Sequence, residues 1–259
     1  MISYDRLGSN GRLGNQMFQY AAGLSALKEY SQFSNLKLDA SFYKNQKRKV
    51  ISNGLTGRGY DLDLLSIKYN EIEETPEGGV MLKGWFQNLS EFENVIEDIK
   101  NEFKFSISFS KNIQNLNRQI ISKENSVSIH VRRGDFINNP TAYAHNEHLD
   151  SYYYTAAMNI LEKKYSDLTY YVFSEDINWC KENIKNDNHK IIFIGQDYSG
   201  ERDSGHMYLM QSCNNHIIAN STFSWWAAFL SNSKVTIGPK KWFTNGTGSE
   251  IMLDSWIKI

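Results

Sequence analysis

Cysteine is nearly absent. The 259-residue chain carries two, Cys180 and Cys213, each inside an apolar pattern of helical spacing. That excludes a disulfide-stapled scaffold, and both read as reduced, buried thiols in a reducing compartment. Long apolar runs are missing as well. No stretch approaches the ~18–20 residues that cross a bilayer, and Met1-Ile2-Ser3-Tyr4-Asp5-Arg6 has no signal-peptide form. Nor is there an excess of one charge: 28 Lys and Arg against 29 Asp and Glu leave a net charge of -1. This balance excludes wrapping of nucleic acid, so any phosphate site must be local. The expectation is a soluble, cytoplasmic protein. Three prolines, with no repeat and no low-complexity tract, leave no long linker. The dinucleotide fingerprint G-x-G-x-x-G and the P-loop Gly-Lys-Ser/Thr are both missing.

What is present suits one large or two small α/β domains, with 41% apolar residues. In the second half, Val127, Ile129 and Val131 alternate with Ser128 and His130, which is strand periodicity. Further strands are expected at 169–173, 191–194, 216–219 and 235–237, with helices at 149–165, 177–186, 206–213 and 222–230 between them. Strands alternating with helices at this spacing predict a doubly wound parallel sheet. The first half is looser: a strand over 2–7, a helix over 15–30, a strand over 80–86, and a capping box at Ser90-Glu91-Phe92-Glu93 opening a helix to Ile99. The expected division is 1–123, then 124–245, with 246–259 packing back on the first part.

Four segments have the residue types that bind anionic or hydroxylated ligands. His130-Val131-Arg132-Arg133-Gly134-Asp135 ends a predicted parallel strand, where open α/β sheets bind ligands. Two arginines there can present bidentate forks to a diphosphate. Asn220-Ser221-Thr222-Phe223-Ser224 precedes Trp225-Trp226 and opens a helix; its hydroxyls cap the helix or help its free N–H groups hold an anion. Gly11-Arg12-Leu13-Gly14-Asn15-Gln16 enters the first helix, as a cradle or a plain tight turn. Ser174-Glu175-Asp176 ends the 169–173 strand, where a carboxylate reads a ribose or guanine or caps the next helix. Asp61-Leu62-Asp63 has the spacing of metal-binding carboxylates but sits among apolar residues and reads as an apolar segment with exposed acids. His145 and His148 lack the third ligand that zinc demands and read as a surface loop.

Together these residues resemble glycosyltransferase family 11, the α-1,2-fucosyltransferases. The resemblance rests on Gly14-Asn15-Gln16-Met17-Phe18-Gln19-Tyr20-Ala21, on His-x-Arg-Arg-x-Asp at 130–135, and on the block from Ile218 to Trp226, with Leu209-Met210 and Pro239-Lys240-Lys241-Trp242 in order between and after them. It implies a GT-B-like fold of two Rossmann-like doubly wound domains facing a cleft. The donor GDP-fucose would bind the C-terminal half, a galactose-containing glycan would be the acceptor, and no metal or other cofactor is expected. It implies that Arg132 holds the donor β-phosphate with Arg133 and His130 beside it, and that Asn15, with Gly14 and Gln16, approaches the fucose from the first domain. Asn220, Ser221, Thr222 and Ser224 would line the diphosphate, Glu175 or Asp176 would read guanine, and Asp135 is the nearest base. Mammalian members carry a membrane anchor, so a chain without one implies a microbial or viral enzyme, with any membrane contact peripheral. Three alternatives stay open at this point: an α-1,6 or protein O-fucosyltransferase, a non-catalytic GDP-sugar or glycan-binding module, and an NAD-dependent enzyme, the last disfavoured by the missing fingerprint.

Overall fold

The computed structural model describes residues 2–4, 11–32, 36–39, 61–68, 71–72 and 80–259; the side chains of 3, 4, 37–39, 71, 72 and Asp135 lie outside the description. Contacts divide the chain into two units, Met1–Ser108 and Phe109–Ile259.

In the second unit six strands form one sheet: β5 (Ser126–Val131), β6 (Thr169–Ser174), β7 (Lys190–Ile194), β8 (Asn215–Ile217), β9 (Val235–Gly238) and β10 (Ile257–Lys258). Their order is β10-β9-β8-β5-β6-β7, with every neighbour parallel. The chain walks outward from β5 to β7, then returns to lay β8 on the other side of β5. The carboxyl ends of β5 and β8 therefore flank the topological switch point, the crevice that binds ligands in such sheets. Every residue of β5 and β6 is buried, as expected for strands covered on both faces. One face packs Val127, Ile129 and Val131 against Tyr154, Met158 and Leu161 of the Ser151–Glu162 helix.

The helix Thr222–Leu230 is fixed at both ends. Trp225 and Trp226 are fully buried, and the Trp225 indole N–H donates to Ile251 O at 2.7 Å. At its far end, His216 on β8 lies 2.7 Å from Ser128 Oγ on β5 through Nδ1 and 2.8 Å from Ser231 Oγ through Nε2. A neutral imidazole meets both by donating from one nitrogen and accepting at the other. The bridge ties β5, β8 and the helix C-terminus together, which sets where the helix N-terminus sits.

Two expectations about organisation are revised. The helix Lys111–Ile121 groups with the second unit, so the division falls at 108/109 rather than 123/124. Its buried Ile113, Leu116 and Ile120 recur at helical spacing, but Lys, Asn, Gln and Arg between them mute the signal. Residues 246–259 belong to the second unit: β10 extends its sheet beside β9, and Trp256 packs 5.5 Å from Trp225.

The first unit holds a parallel sheet in the order β3-β2-β1-β4, built from β1 (Ile2–Tyr4), β2 (Leu36–Asp39), β3 (Glu71–Ile72) and β4 (Val80–Leu82). The switch point here lies between β1 and β4. The helix Leu13–Glu29 packs its buried face, Met17, Phe18, Tyr20, Ala21 and Leu24, into the core. The capping box at Ser90 does not form. Asn88 caps instead, accepting from Ser90 N, and two 3-10 turns precede a helix that starts only at Ile96. Asn88 is a stronger capping residue than the segment's pattern suggests.

Candidate functional site

Beyond the last paired rung of β5 and β6, Val131 beside Ser174, the chains stay side by side. Arg132 Nη1 is 3.4 Å from Glu175 Oε1, and Arg133 Nε is 3.1 Å from Asp176 Oδ2. Arg133 N also donates to Glu175 Oε1 at 3.0 Å. The Arg133 guanidinium lies 4.2 Å over the Trp179 ring, and that of Arg132 lies 5.4 Å from Phe136. Arg133 is thus clamped by an ion pair and a cation–π contact. Arg132 is held by a longer ion pair at the strand's mouth. Gly134 makes the turn compact: a Cβ there would stand 2.7 Å from Glu175 Oε1.

Glu175 and Asp176, expected at the guanine, are engaged with these arginines, and Asp176 Oδ1 also caps the Ile177–Asn183 helix by accepting from Trp179 N at 3.1 Å. His130 is buried beside Phe223, ring centroids 5.9 Å apart. Its Nδ1 has no hydrogen-bond partner among the described residues, and burial, with Arg132 and His206 nearby, pushes its pKa down to about 3. It is therefore a neutral ring at neutral pH, not a cation offered to phosphate. Asp135 lies on the short helix Gly134–Asn138; its side chain is outside the description.

At the end of β8 the polar block divides into different tasks. Asn220 Nδ2 donates to Glu147 O and to Trp242 O, both at 2.9 Å, tying the 140–149 segment and the 242–247 loop to the switch point. Ser224 Oγ is buried and donates to Ser221 O at 3.2 Å. Ser221 occupies the N-cap position of the Thr222–Leu230 helix but its hydroxyl makes no capping bond. Ser221 and Thr222 are half-buried at the start of that helix, which follows β8, the strand paired beside β5 and its Arg132. His145 and His148 separate: His145 packs on Phe243 at 4.5 Å, and His148 stacks on Tyr143 at 3.9 Å.

In the first unit Gly14 is inside the first turn of the helix Leu13–Glu29 rather than in a loop before it. Gln16 is buried, its Oε1 accepting from Asp61 N at 2.9 Å. Asp61 is buried and Asp63 exposed, so the two carboxylates diverge, and among the described residues no three His, Cys, Asp or Glu side chains gather as metal ligands. Asn15 lies against Gly11, where any Cβ would collide with its amide, and its Oδ1 accepts from Gln87 Nε2 at 2.9 Å. Gln87 follows β4, so Asn15 and Gln87 meet at the carboxyl edge of the first unit's own switch point. Gln87 escapes sequence reasoning because the loop after β4 has no glycine cradle or charge cluster. Only the strand order reveals its place.

The family model for glycosyl transferase family 11 matches residues 5–259. The chain is 28% identical over 305 residues to the O-antigen biosynthesis glycosyltransferase WbnK of Escherichia coli, which covers 96% of this chain and 98% of that protein. It is 33% identical over 270 residues to an alpha-1,2-colitosyltransferase of Escherichia coli, covering 90% of each. Galactoside alpha-(1,2)-fucosyltransferase 2 of Pongo pygmaeus is 27% identical over 234 residues, with 85% of this chain and 67% of that protein covered. In fold, the chain is similar to the NodZ alpha-1,6-fucosyltransferase soaked with GDP-fucose, a GT-B-type enzyme, with a TM-score of 0.53, 12% identity and 89% and 92% coverage. Among the described residues no helix is long and apolar enough to cross a membrane.

Proposed function

Because the chain belongs to glycosyltransferase family 11, we propose that it transfers L-fucose from GDP-β-L-fucose to the 2-hydroxyl of a terminal galactose in a glycan, inverting the anomeric carbon. The observation that carries this reading is the convergence of Arg132 and the N-terminus of the Thr222–Leu230 helix on adjacent strand ends, β5 and β8, at a topological switch point.

The acceptor oxygen attacks fucose C1 as the bond to the β-phosphate oxygen breaks. Positive charge develops on the sugar ring and negative charge on the departing GDP. Arg132 and the helix amides, preorganised at the crevice, meet that negative charge, with Ser221 and Thr222 beside them. Arg133 acts through position, since Asp176 and Trp179 hold its guanidinium. Asn15, braced by Gln87, is the residue that the family resemblance assigns to the fucose, and Asp135 takes the acceptor proton. Cationic and dipolar groups of this kind serve the leaving group without a metal, so turnover is expected to persist in EDTA.

A second reading concerns the donor. The 33% identity to an alpha-1,2-colitosyltransferase favours transfer of colitose, which is L-fucose without its 3-hydroxyl. One experiment tests both: GDP release from GDP-fucose and from GDP-colitose over a panel of β-galactosides in EDTA, with product linkage assigned by NMR. A 1→2 linked product supports the reading; a 1→6 linkage, or no acceptor-dependent GDP release from either donor, overturns it.

A further inference from the structure

All six tryptophans of the chain lie among the described residues, and Trp85 alone is exposed, at 49%. An indole left half in water is uncommon, because its large apolar area normally goes into a core or an interface. The backbone around it is held in unusual geometry. Phe86 has φ of 51°, in the left-handed region that a bulky aromatic side chain rarely enters, and Gly84 has φ of 156°. The Phe86 ring lies over Gly84, where an added Cβ would come within 3.2 Å of it. Strain of this kind persists where surrounding structure enforces it, and it concentrates at ligand sites. The loop follows β4, at the switch point of the first unit, and the next residue, Gln87, holds Asn15 at 2.9 Å. Exposure, strain and position at a strand-end crevice thus coincide within four residues.

We infer that Trp85 is the stacking platform for a pyranose ring of the acceptor glycan, and that the Gly84–Phe86 turn exists to aim it. A pyranose has an apolar C–H face and a hydroxyl rim. An indole offers a matching flat face and an N–H at its edge for a rim hydroxyl. The inference rests on the proposed glycosyl transfer for the identity of its ligand, and it adds the subsite and the residue.

The test uses the full chain with lactose and N-acetyllactosamine as probes. Iodide quenching of tryptophan fluorescence reads Trp85 as the difference between wild type and Trp85→Phe, because four of the other five rings are buried and Trp179 is half-buried under Arg133 in both proteins. Either probe should protect the quenchable fraction in the presence of GDP, and Trp85→Phe should remove that fraction. In turnover, Trp85→Ala should raise the acceptor KM about tenfold, the equivalent of one lost stacking contact, with the donor KM held. Trp85→Phe should restore most of the acceptor affinity, and Phe86→Gly, which keeps the indole but frees its direction, should fall between. Tyr152→Ala is the control for mere exposure, at 81%. The inference is overturned if neither disaccharide protects the indole, if Trp85→Ala leaves the acceptor KM unchanged, or if Tyr152→Ala raises it equally. Wild-type protein that releases no GDP yet shows protection would sink the transfer reading and leave the glycan subsite standing.

Discussion

The backbone N–H of Arg133 donates to the carboxylate of Glu175 at 3.0 Å, carrying the partnership of β5 and β6 past the end of the sheet. Two arginines and two acids then face each other in register, Arg132 with Glu175 and Arg133 with Asp176. The adjacent arginines are consequently unequal. One is clamped between Asp176 and Trp179, and the other meets Glu175 across a longer ion pair and lies 5.4 Å from the Phe136 ring.

The first prediction follows from that inequality. Arg132→Ala should lower kcat by a factor of roughly 100 to 1,000, the usual cost of one preorganised charge donor, ~2.7–4 kcal/mol. Arg133→Ala should act more through loss of local order, lowering the melting temperature as well as turnover. Steady-state kinetics beside thermal denaturation separates the two. A folded Arg132→Ala protein with near-normal kcat would remove Arg132 from the mechanism.

Gly134→Ala is a second probe of the ladder that changes no charge. Its Cβ would press on Glu175 Oε1 at 2.7 Å and Cγ at 2.8 Å, so the side chain must leave its seat. The Arg132–Glu175 pair is then broken, and turnover should fall with little change in stability, since a partly exposed ion pair contributes only ~0–1 kcal/mol. Unchanged kcat would mean that Glu175 has no part in orienting Arg132.

Asn220 gives a third prediction, one that opposes its expected role at the diphosphate. Its amide N–H groups serve two carbonyls, Glu147 O and Trp242 O. Asn220→Ala should therefore destabilise the second unit by ~1–3 kcal/mol, the cost of leaving buried acceptors unmet. Urea denaturation reads this directly. A variant with full stability but a raised donor KM would return Asn220 to the ligand.

The fourth concerns pH. Burial first, then Arg132 and His206, holds His130 at about 3, and burial holds His216 at about 3, against an ordinary 6.5. Between those values the unfolded chain binds protons that the folded chain does not. Stability must then be highest above pH 6.5 and fall as pH drops towards 3, by up to ~1.4 kcal/mol per pH unit for each histidine. Urea midpoints at pH 7, 6 and 5 measure the slope, and His130→Gln should reduce it. A flat profile across that range would contradict the buried, neutral state of both rings.

Much of the second unit was legible in the sequence because buried parallel strands leave a strong signal. Val127, Ile129 and Val131 fixed β5, and the helix 222–230 is found with its predicted bounds. The first unit was less legible, because its strands are two to four residues long and its 3-10 turns follow no helical period.

By itself the chain's order of residues determined the family, the strand–helix alternation and the grouping of arginines and hydroxyls at strand ends, since local periodicity and contiguous motifs are written along the chain. Strand order is not written there. It arises from long-range pairing, and it alone brought the ends of β5 and β8 together, set Glu175 and Asp176 against the arginines, and turned Asn220 inward to two distant carbonyls. It also set Gln87 beside Asn15 and left Trp85 facing water on a strained turn. A side chain's chemistry follows from its type, but its task follows from its neighbours, and those are chosen only when the sheet closes.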